Sequence, residues 1–245
     1  MKLLSIMLVL LTVGALQAQT TVNKTVPVQS GQKIKLMFDY PSIKVSTWDK
    51  NEISIQGKVS INGGENDDAF VIQSKTSGNT LVISSDINGF KNLPQRITIR
   101  ESKGSQKMVF RNKAEWKKYA DEHGRTYFMM NEGVDIDITL EIKVPRNMET
   151  LVDCVYGMVE VKDFVGPLTV KATYGGVDAA LIEETTGELV AETNYGHIYS
   201  DLNFSTQKKN VQEEDFHTYV SAKPGSGPKY SFESQYGNVY LRKIN

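Results

Sequence analysis

The sequence predicts an all-β protein: a single-chain, right-handed parallel β-helix, or β-solenoid, with coils of about 20 residues and one short inserted α-helix. Three observations predict it. A Tyr-Gly pair recurs in the C-terminal part, at Tyr156-Gly157, Tyr174-Gly175, Tyr195-Gly196 and Tyr236-Gly237. Each pair is flanked by apolar residues that alternate with polar ones. Only one stretch in the whole chain has helical spacing. A repeat at such a period marks stacked turns of one chain rather than a core wrapped around a cleft.

With each Tyr as origin, the columns line up. Six residues before it stand Thr150, Leu168, Leu189 and Tyr230; four before, Val152, Val170, Ala191 and Phe232; two before, Cys154, Ala172, Thr193 and Ser234. Polar residues such as Asp153, Lys171, Glu192 and Glu233 stand between them. Alternation of this kind is a strand with one buried face. After the pair, Val159, Val177, Ile198 and Val239 occupy the third position, and Val161, Ala179, Ser200 and Leu241 the fifth. The unit is therefore strand, bend, strand. The Gly is expected to supply positive φ at the bend. The Tyr would stack on the Tyr of the next coil, about 4.8 Å away. Two readings of that row stand side by side: a structural ladder, or an exposed stripe that binds a sugar or a peptide.

The Tyr spacings are 18, 21 and 41, the last close to two periods. Phe216-His217 falls midway, with Tyr219 and Ser221 at plus three and plus five, and polar residues lead into it. This degenerate coil is expected to protrude as a hairpin turning over residues 223–228. A further copy precedes the repeats: Ile34, Leu36 and Phe38 lead to Tyr40, and Ile43 and Val45 follow, with Pro41 in place of the Gly.

Residues 1–18 read as a secretory leader: Lys2, an apolar run from Leu3 to Leu16, and Ala18 at the cleavage point. The run is too short for a transmembrane helix, so no transmembrane anchor is expected. The exported chain, residues 19–245, is predicted to be one elongated domain. It divides into an irregular N-terminal β part (25–100), an insertion (101–133) and the Tyr-Gly coils (134–245). The full chain carries 28 basic and 29 acidic residues, net −1, and losing Lys2 takes the balance to −2. That balance offers no electrostatic case for nucleic acid. The single cysteine, Cys154, excludes an intramolecular disulfide, and its column of small residues makes it a buried filler rather than a nucleophile.

Strands are expected over 69–74, 80–85 and 95–100, with a polar loop over 62–68. The helix is predicted over 112–122, with Asn112 as N-cap and Gly124 as stop. Such a helix would cap an open end or cover an edge strand. Trp116 and Tyr119 share one of its faces and are candidate ligand contacts. Val134 to Val144 gives the cleanest alternation, ended by Pro145.

Reactive constellations are sparse. Asp135 and Asp137 fit the polar face of a strand better than a carboxylate pair. The Gly63-to-Asp68 loop lacks calcium-loop spacing. His123, His197 and His217 show no metal-ligand spacing. No nucleophile elbow, phosphate loop or dinucleotide fingerprint is present. The chain is read as a non-enzyme without a cofactor, and Phe216, His217 and Tyr219 join Trp116 and Tyr119 as binding candidates.

Several segments resemble one family. Ile43-Lys44-Val45-Ser46-Thr47-Trp48-Asp49, Ile142-Lys143-Val144-Pro145, the Tyr-Gly-x-Val units and the closing Tyr236-Gly237-Asn238-Val239-Tyr240-Leu241 are similar to the bacterial putative-adhesin domain family. The resemblance implies a β-solenoid that is secreted or in the cell envelope, in the periplasm or on the outer surface, and carries over no catalytic residue. The expected function is an adhesin-like protein binding an envelope protein or a surface glycan through solenoid faces. The alternatives are a carbohydrate-binding or carbohydrate-cleaving β-helix and a structural or stress-linked periplasmic protein.

Overall fold

The computed structural model describes residues 19–203 and 210–244; the predicted leader, residues 1–18, lies outside them. Strands β1 (Thr20–Pro27), β2 (Lys33–Phe38), β3 (Ser42–Trp48) and β4 (Glu52–Ile61) come first, followed by the hairpin β5 (Phe70–Ser77) and β6 (Thr80–Ile87). β7 (Arg96–Arg100), β8 (Met108–Phe110), helix α1 (Lys113–His123) and β9 (Met129–Gly133) precede the long β10 (Ile136–Pro145). The repeats supply β11 (Thr150–Cys154) and β12 (Val159–Val161), then β13 (Leu168–Ala172) and β14 (Val177–Leu181), then β15 (Leu189–Thr193) and β16 (Ile198–Ser200). β17 (Asn210–Glu214), β18 (His217–Ala222), β19 (Tyr230–Ser234) and β20 (Val239–Lys243) complete the chain.

These strands build two large mixed sheets and one small one. The eight-stranded sheet runs β1-β4-β10-β3-β12-β14-β20-β16, the nine-stranded sheet β17-β18-β15-β19-β13-β11-β2-β6-β5, and the third β8-β7-β9. The protein is all-β, but the expected parallel β-helix is overturned on two counts. First, antiparallel pairs are built into both large sheets: β1 with β4, β4 with β10, β5 with β6, and β18 with both β15 and β17. Second, the repeats do not stack in chain order. β19 lies between β13 and β15, and β20 between β14 and β16. A solenoid adds each coil to the one before it, whereas here the last unit of the chain is inserted between the second and the third.

The physical reason lies in what the repeat encodes. Each Tyr-Gly unit is an arch that leaves one sheet and enters the other. Its strands pair in parallel and in phase, so that Thr150, Leu168, Tyr230 and Leu189 stand in one row. Any arch fits beside any other in that register. The alternation therefore sets the columns without setting their order.

The columns meet in one core. Leu36, Val152, Val170, Phe232 and Ala191 from the nine-stranded sheet, and Ile55, Ile142, Val45, Val161, Ala179 and Leu241 from the eight-stranded one, are all at most 1% exposed. They belong to a single apolar cluster that runs from Val26 to Leu241. Residues 25–87 thus share one core with the repeat arches, because β2 and β3 are themselves an arch paired to β11 and β12, whereas β7 belongs to the small sheet and its own cluster.

Helix α1 begins as predicted from its cap, with the Asn112 Oδ1 accepting from the amides of Ala114 and Glu115 at 3.0 Å each. It packs on the small sheet beside its edge strand β8, where Tyr119, Trp116 and Met130 surround Ile97, Ile99 and Phe110; of the two expected places it takes the edge strand and not an open end of the large sheets. The Phe216-His217 segment is no arch. β17 and β18 form an antiparallel hairpin with Asp215 and Phe216 at its turn, laid against β15. The expected turn over 223–228 does not protrude: Gly225 N donates to Thr186 O at 2.8 Å and Ser226 N to Glu184 O at 3.1 Å.

Candidate functional site

The tyrosines of the arches stand in one line along the bend between the two sheets. Tyr40 stacks on Tyr156 with centroids 5.4 Å apart, Tyr156 on Tyr174 at 5.2 Å, Tyr174 on Tyr236 at 5.1 Å, and Tyr236 on Tyr195 at 5.1 Å. Interplanar angles in these four pairs are 7° to 15°. Phe90 extends the row beyond Tyr40 at 5.3 Å, and Phe216 beyond Tyr195 at 5.7 Å. Seven rings therefore make a ladder of six steps, each 5.1–5.7 Å between centroids.

The four repeat tyrosines are open to solvent, with Tyr156 and Tyr174 55% exposed, Tyr195 58% and Tyr236 49%, whereas Tyr40 is half-buried against the core. Stacking decides which part of each ring is exposed. The faces of the inner rings are covered by their neighbours, so edges and phenol hydroxyls point outward. Each pair adds about 0.5–1.5 kcal/mol beyond area burial, which holds the rings in place before any ligand arrives.

Glycine follows each repeat tyrosine for a reason other than the expected one. None of Gly157, Gly175, Gly196 and Gly237 has positive φ. What they require is close approach. A Cβ on Gly157 would lie 1.9 Å from the carbonyl oxygen of Pro41; one on Gly175, 1.9 Å from that of Gly157; one on Gly237, 2.2 Å from that of Gly175; and one on Gly196, 2.0 Å from that of Gly237. The glycines form a staircase in the same order as the rings, and Pro41 serves as its first step through its carbonyl.

The small column two residues before each Tyr pins the staircase from inside. Ser234 Oγ donates to Gly175 O at 2.9 Å and accepts from Gly237 N at 2.9 Å. Thr193 Oγ1 donates to Gly237 O and accepts from Gly196 N at 2.9 and 3.1 Å. Cys154 occupies the same place, its Sγ 3.3 Å from Gly157 O. It is fully buried, and burial pushes its thiol up to about 11. The native protein should therefore resist a thiol reagent at pH 8 and react stoichiometrically once denatured; rapid native labelling would contradict this packing. The unfolded chain ionises its thiol first, so this group also lowers stability as pH rises from the ordinary thiol value towards about 11.

Polar side chains flank the rings. Asp39, Thr173, Gln235 and Asn194 precede Tyr40, Tyr174, Tyr236 and Tyr195, and Asn194 Nδ2 donates to Gln235 Oε1 at 2.7 Å. On the other side Asn238 Oδ1 accepts from His197 N at 2.8 Å. The Tyr195 end is thus the more polar, while Phe90 and Met158 lie towards the Tyr40 end. Phe90 was outside the sequence reading altogether, since it stands in a loop with no repeat around it. Asn194, Gln235 and Asp215 were also missed; only proximity to the ladder singles them out.

The other candidates lie elsewhere. Trp116 packs edge-on to Tyr127 at 6.5 Å, and Tyr119 touches Phe110, stacks on His123 at 4.3 Å and donates to Glu101 at 3.0 Å. Both are engaged in the small core. Tyr219 stands on β18 opposite Glu192, and His217 Nε2 lies 2.8 Å from Glu192 Oε1. Asp135 pairs with Lys107 at 2.7 Å. In the 62–68 loop, the Asp67 carboxylate accepts from the amides of Ile61 and Thr20 at 2.7 and 3.2 Å, which spends it on the backbone. Among the described residues no group of three or more His, Cys, Asp or Glu could hold a metal, and no helix is long and apolar enough to cross a membrane.

No family model matches the chain, and no curated protein matches it. Among solved structures, it is similar to a “putative cell adhesion protein” from Clostridium sporogenes, with TM-score 0.44 and 10% identity over 93% of this chain and 100% of that one. It is also similar to a “putative lipid binding protein” from Parabacteroides distasonis, with TM-score 0.22 and 10% identity over 92% and 97%. At these TM-scores neither likeness carries a function across.

Proposed function

We propose that the protein is a non-enzymatic, adhesin-like protein of the cell envelope that holds a surface glycan lengthwise along the aromatic ladder. The leader read in residues 1–18 supports export. The observation that carries the reading is the row of seven aromatic rings, its four repeat tyrosines open to solvent and flanked by polar side chains. A line of ring edges with centroids 5.1–5.7 Å apart, with a phenol hydroxyl on each Tyr, suits a polymer dense in hydroxyl groups. The rings are already ordered, so binding costs little side-chain entropy. A protein partner fits less well, because interface anchors fill pockets with freely presented aromatic side chains, and these rings are pinned to one another.

The test is a polysaccharide array, followed by titration of the purified protein and of Tyr174→Ala and Tyr236→Ala. Both variants keep the glycine staircase, and circular dichroism checks their fold. A bound polymer whose affinity falls about tenfold in either variant, with no new reducing ends after incubation, is the expected result. Failure of every polymer to bind would overturn the glycan reading, and release of reducing ends would overturn the non-enzymatic one.

A further inference from the structure

At the Tyr195 end the ladder runs under an overhang. The β17–β18 turn brings Phe216 against Tyr195, tilted by 36°, and beneath it lies a cavity of about 450 Å³. Asn194, Tyr195, His197, Asp215, Phe216 and Thr218 line it. Phe216 leans on the ladder through one side only and is 70% exposed, so its other face is free. It differs in this from the inner tyrosines, whose faces are covered on both sides.

The polar groups around the cavity are unspent. Among the described residues, the Asp215 carboxylate, the His197 imidazole nitrogens, the Thr218 hydroxyl and the Tyr195 hydroxyl make no hydrogen bond, and Asn194 uses only its amide nitrogen, on Gln235. A free aromatic face beside several convergent, unpaired hydrogen-bonding groups is the arrangement of a small-molecule site, and the volume falls in the usual range. The ligand it suits has an apolar C–H face and several hydroxyls on its rim. Asp215, with Glu192 close by on His217, disfavours an anion.

We propose that this cavity is the subsite for the end residue of the bound glycan, and that it takes a neutral pyranose. The proposal rests on the glycan reading of the ladder and adds selection of the chain end to it. The C–H face of the sugar lies on Phe216, and Asp215 accepts from its hydroxyls in charge-assisted hydrogen bonds.

The experiment titrates the purified protein with methyl glucoside, galactoside, mannoside and N-acetylglucosaminide, with methyl glucuronide as the anionic counterpart, read by saturation-transfer NMR. One or more neutral glycosides should bind with a dissociation constant on the order of 1 mM. Phe216→Ala and Asp215→Asn, both in an exposed turn, should each weaken binding about tenfold, while Lys75→Ala, exposed on the edge strand β5 at the far side of the sheet, leaves it unchanged. Binding indifferent to Phe216 and Asp215, or preference for the glucuronide, would overturn the subsite. If polymers bind and respond to Tyr174 but no methyl glycoside binds, the subsite is wrong and the ladder reading stands. If neither polymers nor glycosides bind, both are wrong.

Discussion

Removing residues 229–245 is expected to leave a chain that does not fold cooperatively. These residues carry β19 and β20, which stand inside both large sheets rather than at an edge. Their loss removes Tyr230, Phe232, Val239 and Leu241 from the core, all of them buried. At about 1.5–3 kcal/mol for each fully buried side chain, the loss is comparable with the typical total stability of about 5–15 kcal/mol. It also leaves β13, β14, β15 and β16 facing a gap one strand wide, with unpaired backbone groups on both sides. In a solenoid stacked in chain order the same deletion would trim one end coil and leave the rest folded. Urea unfolding followed by circular dichroism separates the two: a sigmoidal transition close to that of the intact protein would refute the inserted order of the strands.

Gly175→Val is expected to cost about 3 kcal/mol or more, the upper range for forcing atoms into a packed site, and to lower Tm by about 6–12 °C. The cause is the Gly157 carbonyl oxygen 1.9 Å from where a Cβ would stand. The three nearest atoms, Gly157 O and C and Met158 N, are all backbone and cannot swing aside. The contrast with Gly78 isolates the cause. Gly78 has φ +57° with nothing within 4 Å of its would-be Cβ. Asn tolerates that left-handed conformation, so Gly78→Asn should be nearly neutral, whereas Gly175→Asn should be as damaging as the Val. Equal effects at the two sites would overturn close approach as the reason for the staircase.

Much of the local structure was legible. Alternation located the strands because one buried face is a property of each strand alone. Asn112 and Gly124 bounded the helix because capping is local. The common position of the tyrosines placed five rings in one line, because in-phase parallel arches put equal positions side by side. What the sequence did not disclose depends on neighbours distant along the chain. Phe90 joins the ladder from a loop with no repeat around it, and Phe216, which the repeat spacing placed at the Tyr position of a degenerate coil, reaches Tyr195 from a hairpin turn instead. Asp215 and Asn194 meet only because the hairpin folds back over the last arch.

By itself, then, the sequence determined an all-β chain of strand–bend–strand units with a Tyr-Gly pair at each bend, alternating columns on either side and one capped helix. Tertiary structure decided the order in which the arches stand, the antiparallel strands that complete both sheets, and the cavity at the ladder's end. The physical reason is degeneracy of register. Rows such as Thr150, Leu168, Tyr230 and Leu189 pair equally well in any sequence of neighbours, so the pattern that defines each arch says nothing of which arch lies beside it. That choice is made by packing and chain connection across the whole core.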